Sequence, residues 1–263
     1  HEQANGFYPC GGWGWGWLGE PDMGYGDRQP GGWIFNILPY VEETARRNIG
    51  SGETFDQKKA SRATLVSLSL SLFLCSSRRA PTAFNYPYHD KWNLTYTPTV
   101  HARGDYAINA GSQPRNEIYL GPATLEDGLS AQQIWPDVAD HDGISYQRSQ
   151  VKNKHLADGT TVTYLVGEKY LNKSHYYSGW DPSDNSNLYT GYENDNHRVT
   201  SQLPSPDIND LTLREPFGSA HAGSFNMSSC DGSVRAISYN IDATIHRNLG
   251  SRADSNVTLR DGW

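Results

Sequence analysis

The last quarter of the chain holds the feature that most restricts its fold. Phe225-Asn226-Met227-Ser228-Ser229-Cys230 and Ser233-Val234-Arg235-Ala236-Ile237-Ser238 are short runs of alternating polarity joined by Asp231-Gly232. A two-residue Asp-Gly link favours a type I′ turn, whose twist matches that of paired strands, so these residues commit the chain to an antiparallel hairpin. Pairing Cys230 with Ser233 predicts one face of Phe225, Met227, Val234 and Ala236, and an opposite face of Asn226, Cys230, Arg235 and Ile237.

Other segments are read from their periods. Leu38, Val41, Ala45 and Ile49 recur at helical spacing, with Glu42 and Glu43 ahead of Arg46 and Arg47 as the helix dipole prefers, and Gly50 ends the run. A second helix is expected from Glu53 to Thr64, with Ser51 as its cap. Val66, Leu68, Leu70, Leu72 and Leu74 alternate with serines and predict a strand. Residues 81–142 are rich in Pro, Tyr, Asn and Asp, which predicts a long irregular excursion holding a short strand at Asp105 to Asn109. Asp158-Gly159 marks a turn before Thr161 to Val166, expected to be a central strand running into Gly167-Glu168-Lys169.

Two segments invite a binding interpretation. Between residues 5 and 35, glycines alternate with Trp13, Trp15 and Trp17, and Gly31-Gly32-Trp33 follows. These indoles suit either a sugar-stacking or subunit-contact patch, or a loop that packs its own rings into the core. Asp181, Asp184, Glu193 and Asp195, with four asparagines between and beside them, crowd hard oxygens into one stretch. Calcium needs six to eight such oxygens from flexible loops, although the spacing is not that of an EF-hand. The competing reading is a solvated polar loop.

Charge and cysteine usage exclude several classes. A net charge of −7 argues against a phosphate-binding surface, so no nucleic-acid partner is expected, and Ser76-Ser77-Arg78-Arg79 reads as a solvated basic loop. No apolar run of membrane-spanning length occurs. Cys10, Cys75 and Cys230 form no C-x-x-C pair, which leaves zinc without a spacing signal. One disulfide plus a free thiol is expected, Cys75 with Cys230 in preference to Cys10, a cysteine upstream of this chain being the rival partner. The four sequons, at Asn93, Asn172, Asn226 and Asn256, are about the number chance supplies. His221 with Asp231, and Ser219 or Ser224 as nucleophile, lack a G-x-S-x-G elbow; Asp231 is expected to bond its own turn and His221 a nearby backbone group.

His221, nine intervening residues and Asp231-Gly232 make an H-X9-DG motif, and the chain around it resembles a large bacterial family of prepilin-like proteins. Gly32-Trp33-Ile34 through Leu38-Pro39-Tyr40-Val41-Glu42 is similar to its "GW…LPYIEQ" block, and Leu74-Cys75-Ser76-Ser77-Arg78 to its "CPSR" block, with Ser76 in place of the proline. Asp105-Tyr106-Ala107-Ile108-Asn109 resembles "DYAAN", and Ala157-Asp158-Gly159-Thr160 through Glu168-Lys169 resembles "DGTSNT…GEK". The resemblance implies an α+β, pilin-like globular head with an antiparallel sheet, short helices and long loops, forming one domain over residues 1–263. Relatives of this kind carry a hydrophobic N-terminal helix, which this chain lacks, so membrane contact would come only through that helix. It also implies a non-catalytic, extracellular or cell-surface subunit, assembling with copies of itself or other pilin-like subunits. The analogy to calcium-binding pseudopilins adds weight to calcium as a cofactor. The alternatives are a carbohydrate- or solute-binding module built on Trp13, Trp15, Trp17 and Trp33, and, more remotely, a hydrolase using Glu168 and Asp158.

Overall fold

The structure is a computed structural model that describes residues 1–87, 93 and 98–256. The chain opens with three short helices, α1 (Glu2–Asn5), α2 (Trp33–Ile37) and α3 (Thr44–Arg47), followed by α4 (Phe55–Leu65). The helix expected from Leu38 to Ile49 is broken. Pro39 sits in a 3-10 turn over Leu38–Val41, Glu42 adopts a left-handed φ of 65°, and Glu43 N–H closes on Leu38 O. Proline supplies no N–H for a continuous helical ladder, so the apolar spacing is split between two turns. The following helix forms as expected, but its cap is Thr54: the Thr54 hydroxyl accepts from Gln57 N–H while Gln57 reaches back to Thr54 N–H. Ser51 instead donates to Asp22.

Val66 to Leu74 is not a strand. Ser67, Leu68, Phe73 and Leu74 N–H groups bond carbonyls three residues back, in successive tight turns. The Ser67 hydroxyl donates to the carbonyl of Val100, at the start of a short strand, and the Ser69 hydroxyl to that of Thr82 in an adjoining loop. Val66, Leu70, Phe73 and Leu74 are buried, whereas Leu72 is 58 % exposed, so burial follows the turns and not the alternation. Serine hydroxyls that find backbone acceptors offer the chain an alternative to a ladder.

Strands β1 (Phe84–Asn85) and β2 (Val100–His101) pair across the start of the irregular excursion, of which residues 88–92 and 94–97 lie outside the described residues. The main sheet comprises β3 (Tyr106–Gly111), β4 (Tyr164–Glu168) and β5 (His197–Val199), then, beyond the small parallel pair β6 (Ser205–Pro206) and β7 (Gly218–Ser219), β8 (Ser224–Ser229) and β9 (Val234–Ser238). Its order is β5-β3-β4-β8-β9, so the strand expected to be central is central. Three pairings are antiparallel and β3–β5 is parallel, giving an α+β domain with a mixed sheet. The short α5 (Leu125–Leu129) lies in the excursion, and α6 (Ala243–Gly250) follows the hairpin, capped by Asp242.

Around β3 both faces of the sheet are covered, which is why this strand is buried along almost its whole length. On one side Ile108 joins Trp33, Phe35, Leu65, Val66 and Phe73 from the N-terminal helices and turns. On the other, Ala107, Tyr164, Phe217, Phe225, Met227 and Ile237 pack with Leu249 of α6.

The hairpin forms, one residue out of the expected register. Ser228 pairs with Val234 and Phe225 with Ile237, and the link is three residues, Cys230-Asp231-Gly232, closed by Gly232 N–H on Ser229 O, with Gly232 at φ 85°. A one-residue slip exchanges the faces of a strand. It places Ile237 in the core and leaves Val234 67 % exposed, with Ala236 also in solvent. Burying an isoleucine contributes roughly 1.5–3 kcal/mol, more than alanine offers, and the glycine accepts the left-handed position of the longer turn.

Candidate functional site

The acidic stretch meets protein cations. Asp184 bonds Arg79 at 2.5 Å and Lys169 Nζ at 2.9 Å, and Lys169 also donates to the carbonyl of Asp195 at 2.6 Å. Asp105 lies 2.8 Å from Arg79 and 3.3 Å from Arg78, which bonds Asp207 at 2.8 Å. Burial works against the charge of Asp184, but Arg79, Lys169 and Arg103 overcome it and hold the carboxyl well below its usual range. Burial pushes the Asp195 carboxyl up. Asp181 accepts from Ser183 N–H and Oγ and from Asn172 N–H. Asp181, Asp184, Glu193 and Asp195 are all buried, yet they do not bring three ligand oxygens together among the described residues. Where the sequence suggested a calcium loop, these carboxylates sit in and beside an internal ion-pair lattice, and the cations that meet Asp184 come from other segments. Arg78 and Arg79, expected in solvent, are buried members of it.

The indole platform is likewise dismantled. Trp13, Trp17 and Trp33 are buried, and their N–H groups donate to the carbonyls of Asp27, Pro122 and Asn196. Only Trp15 of the four is half-buried. A ring buried with its N–H satisfied is a core element, not a stacking surface.

The cysteines are free thiols. Cys75 lies by Glu168 and His221, whereas Cys230 abuts the Tyr164 carbonyl, at opposite ends of β4. Four strand residues span about 13 Å, well beyond disulfide reach, so the expected Cys75–Cys230 bridge is not formed.

At the rim of the lattice, Cys75, Glu168 and His221 converge, with ligand atoms all within 4.8 Å of one another. Cys75 follows the 3-10 turn over Ser71–Phe73, and its N–H donates to Asp105 Oδ2 at 2.7 Å. Glu168 ends β4, where its Oε2 accepts Asn226 N–H at 2.7 Å. His221 lies in the bend between β7 and β8; its N–H donates to Ser219 Oγ, and Tyr239 Oη donates to its carbonyl. His221 Nε2 stands 3.3 Å from Glu168 Oε1 and 3.9 Å from Cys75 Sγ. Burial, with Glu168 adding and the Ser77 N–H opposing, pushes the Cys75 thiol up. The expected backbone bond from the His221 ring is thus replaced by a carboxylate and a thiol. Asp231, ten residues along the hairpin, bonds Ser233 N–H and Oγ as a turn residue does.

The three converging side chains stand in three different blocks quoted from the sequence: the cysteine of Leu74-Cys75-Ser76, the glutamate of Gly167-Glu168-Lys169 and the histidine of the H-X9-DG motif. Arg78 and Lys169 in two of the same blocks, with Asp105 from the Asp105-Tyr106-Ala107-Ile108-Asn109 block, build the lattice beneath them. That co-occurrence is the signal from which the site is recoverable; each residue taken singly points elsewhere.

Fold and site together define an α+β domain with a mixed five-stranded sheet, an ion-paired polar centre and one Cys–Glu–His cluster at its rim. The chain belongs to the family described as a protein of unknown function (DUF1559), which it matches over residues 5–244. No curated protein and no solved structure matches it.

Proposed function

We propose that the protein is a non-catalytic, pilin-like structural subunit, the globular head of an extracellular filament or secretion-associated surface assembly. Its partners in this reading are copies of itself or other pilin-like subunits. The observation that carries it is the free edge of the sheet. Among the described residues no strand follows β9, whose Val234, Ala236 and Ser238 are exposed. An open sheet edge is a template for another chain, and strand addition is a common mode of assembly. The order of sequence blocks resembling prepilin-like proteins supports the same reading. So does the state of the groups a hydrolase would use: Glu168 is bonded to Asn226 N–H, and Asp158 accepts the N–H groups of Asp254 and Ser255 as a turn-bracing side chain. No helix among the described residues is long and apolar enough to cross a membrane, so membrane contact in this reading belongs to the N-terminal helix that the resemblance implies.

The test is assembly in the native host, read by electron microscopy and crosslinking of surface fractions. Wild-type protein is expected in high-mass assemblies, and the double variant Val234→Lys, Ala236→Lys as dispersed subunits with an unchanged melting midpoint, because both positions are exposed and lysines blunt edges. A monomeric wild type, or a double variant that assembles equally well, would refute the proposal.

A further inference from the structure

Independently of that role, the geometry points to a metal site: Cys75, Glu168 and His221 bind one divalent transition-metal ion of the zinc class, with a fourth position left to solvent. Thiolate, imidazole and carboxylate are the donors zinc takes, while calcium and magnesium demand oxygen shells this cluster does not offer. Bonds of about 2.3 Å to sulfur and about 2.0–2.1 Å to nitrogen and oxygen, at tetrahedral angles, set the donors roughly 3.5 Å (S to N) and 3.4 Å (N to O) apart. The observed separations are 3.9 and 3.3 Å, so seating an ion asks only a few tenths of an ångström of the side chains.

The rival interpretation is a cysteine nucleophile with a histidine base. In such a pair the thiol addresses one ring nitrogen and the orienting carboxylate the other. Here Cys75 Sγ and Glu168 Oε1 both approach Nε2. Three donor atoms gathered within 4.8 Å of one another, two of them on the same ring nitrogen, suit an ion better than a proton relay through the ring. Each donor is also steadied from behind, as metal ligands usually are. The Asn226 N–H holds Glu168 Oε2 and frees Oε1, Asp105 holds the Cys75 backbone, and Ser219 and Tyr239 hold that of His221. The His221 side chain is 38 % exposed while that of Glu168 is 1 % exposed, so the cluster faces solvent at the imidazole and is closed behind. Three protein ligands and one exchangeable position are the arrangement of an open site.

The experiment strips the whole protein with a chelator and titrates it with Co²⁺, followed by Zn²⁺. One equivalent of cobalt is expected to produce a sulfur-to-cobalt charge-transfer band and the intense visible bands of four-coordinate cobalt, and zinc to abolish both. Cys75→Ser is expected to lose the charge-transfer band, and His221→Ala, a change at a half-exposed bend, to lose stoichiometric binding with its circular dichroism retained. A folded wild type without the bands at one equivalent, or a folded His221→Ala that binds as tightly as wild type, overturns the assignment. Either result leaves the assembly proposal to its own electron-microscopic test.

Discussion

His246 offers a quantitative handle on the core. It lies in α6, fully buried, with neither ring nitrogen hydrogen-bonded, and packs against the rings of Tyr164, Phe217 and Phe225. Burial alone pushes its pKa down from 6.5 to about 4. The folded state therefore binds fewer protons than the unfolded chain between those values. The linked stability is fully present above pH 6.5 and is lost as pH falls towards 4. At about 1.4 kcal/mol per unit the complete effect is roughly 3 kcal/mol, most of it gone by pH 4.5. His246→Phe removes the titration and also the two unpaired nitrogens, whose burial costs about 1–3 kcal/mol. The assay is urea unfolding of wild type and variant at pH 7.5 and 4.5. The variant should be as stable as wild type or more so at pH 7.5, and its advantage should widen by about 2–3 kcal/mol at pH 4.5. Equal losses in the two proteins on acidification would show that the imidazole is not held neutral by burial, and would refute the reasoning.

Three further outcomes check the register and the lattice. Ile237→Ala should cost about 2–5 kcal/mol in denaturant unfolding while Val234→Ala stays within about 0.5, the reverse of what the two-residue turn would give. Asp184→Asn leaves Arg79 and Lys169 without their shared counter-charge and should lower stability by about 3–5 kcal/mol; a change under about 1 kcal/mol would mean that the lattice is not holding the loops together. Calcium added to chelator-treated protein should leave the melting midpoint in place, since Arg79 and Lys169 already neutralise Asp184; a calcium-dependent rise would restore the ion-binding loop.

Much of the domain is set by patterns that neighbouring residues share. The strand expected at Asp105 to Asn109, the strand expected at Thr161 to Val166, which begins only at Tyr164, the helix expected from Glu53 to Thr64 and the hairpin around Asp231-Gly232 are visible in the sequence because each depends on local composition and turn chemistry, although the helix is capped by Thr54 and not by Ser51. The turn residue Asp231 is legible for the same reason. Register is not: one residue more in the link decides whether Ala236 or Ile237 enters the core, and the difference lies in what α6 and Phe217 offer on the other side.

Tertiary structure alone decided the fate of everything whose partner is remote. Val66 to Leu74 alternates like a strand, but it folds into successive tight turns, its serine hydroxyls bond the carbonyls of Val100 in β2 and of Thr82, and its leucines divide between core and solvent. The crowded carboxylates imply a cation from their spacing, yet a local pattern cannot say whether it is an ion or a side chain, and Arg79 and Lys169 arrive from other segments. The indoles are anchoring groups from composition alone; whether they face core or solvent depends on carbonyls as distant as that of Asn196. Cys75 and His221 stand 146 positions apart and meet Glu168 only because the sheet brings the end of β4 against the β7–β8 bend. Short-range sequence encodes backbone preference; charge compensation, burial and the convergence of donors are sums over the whole packed chain.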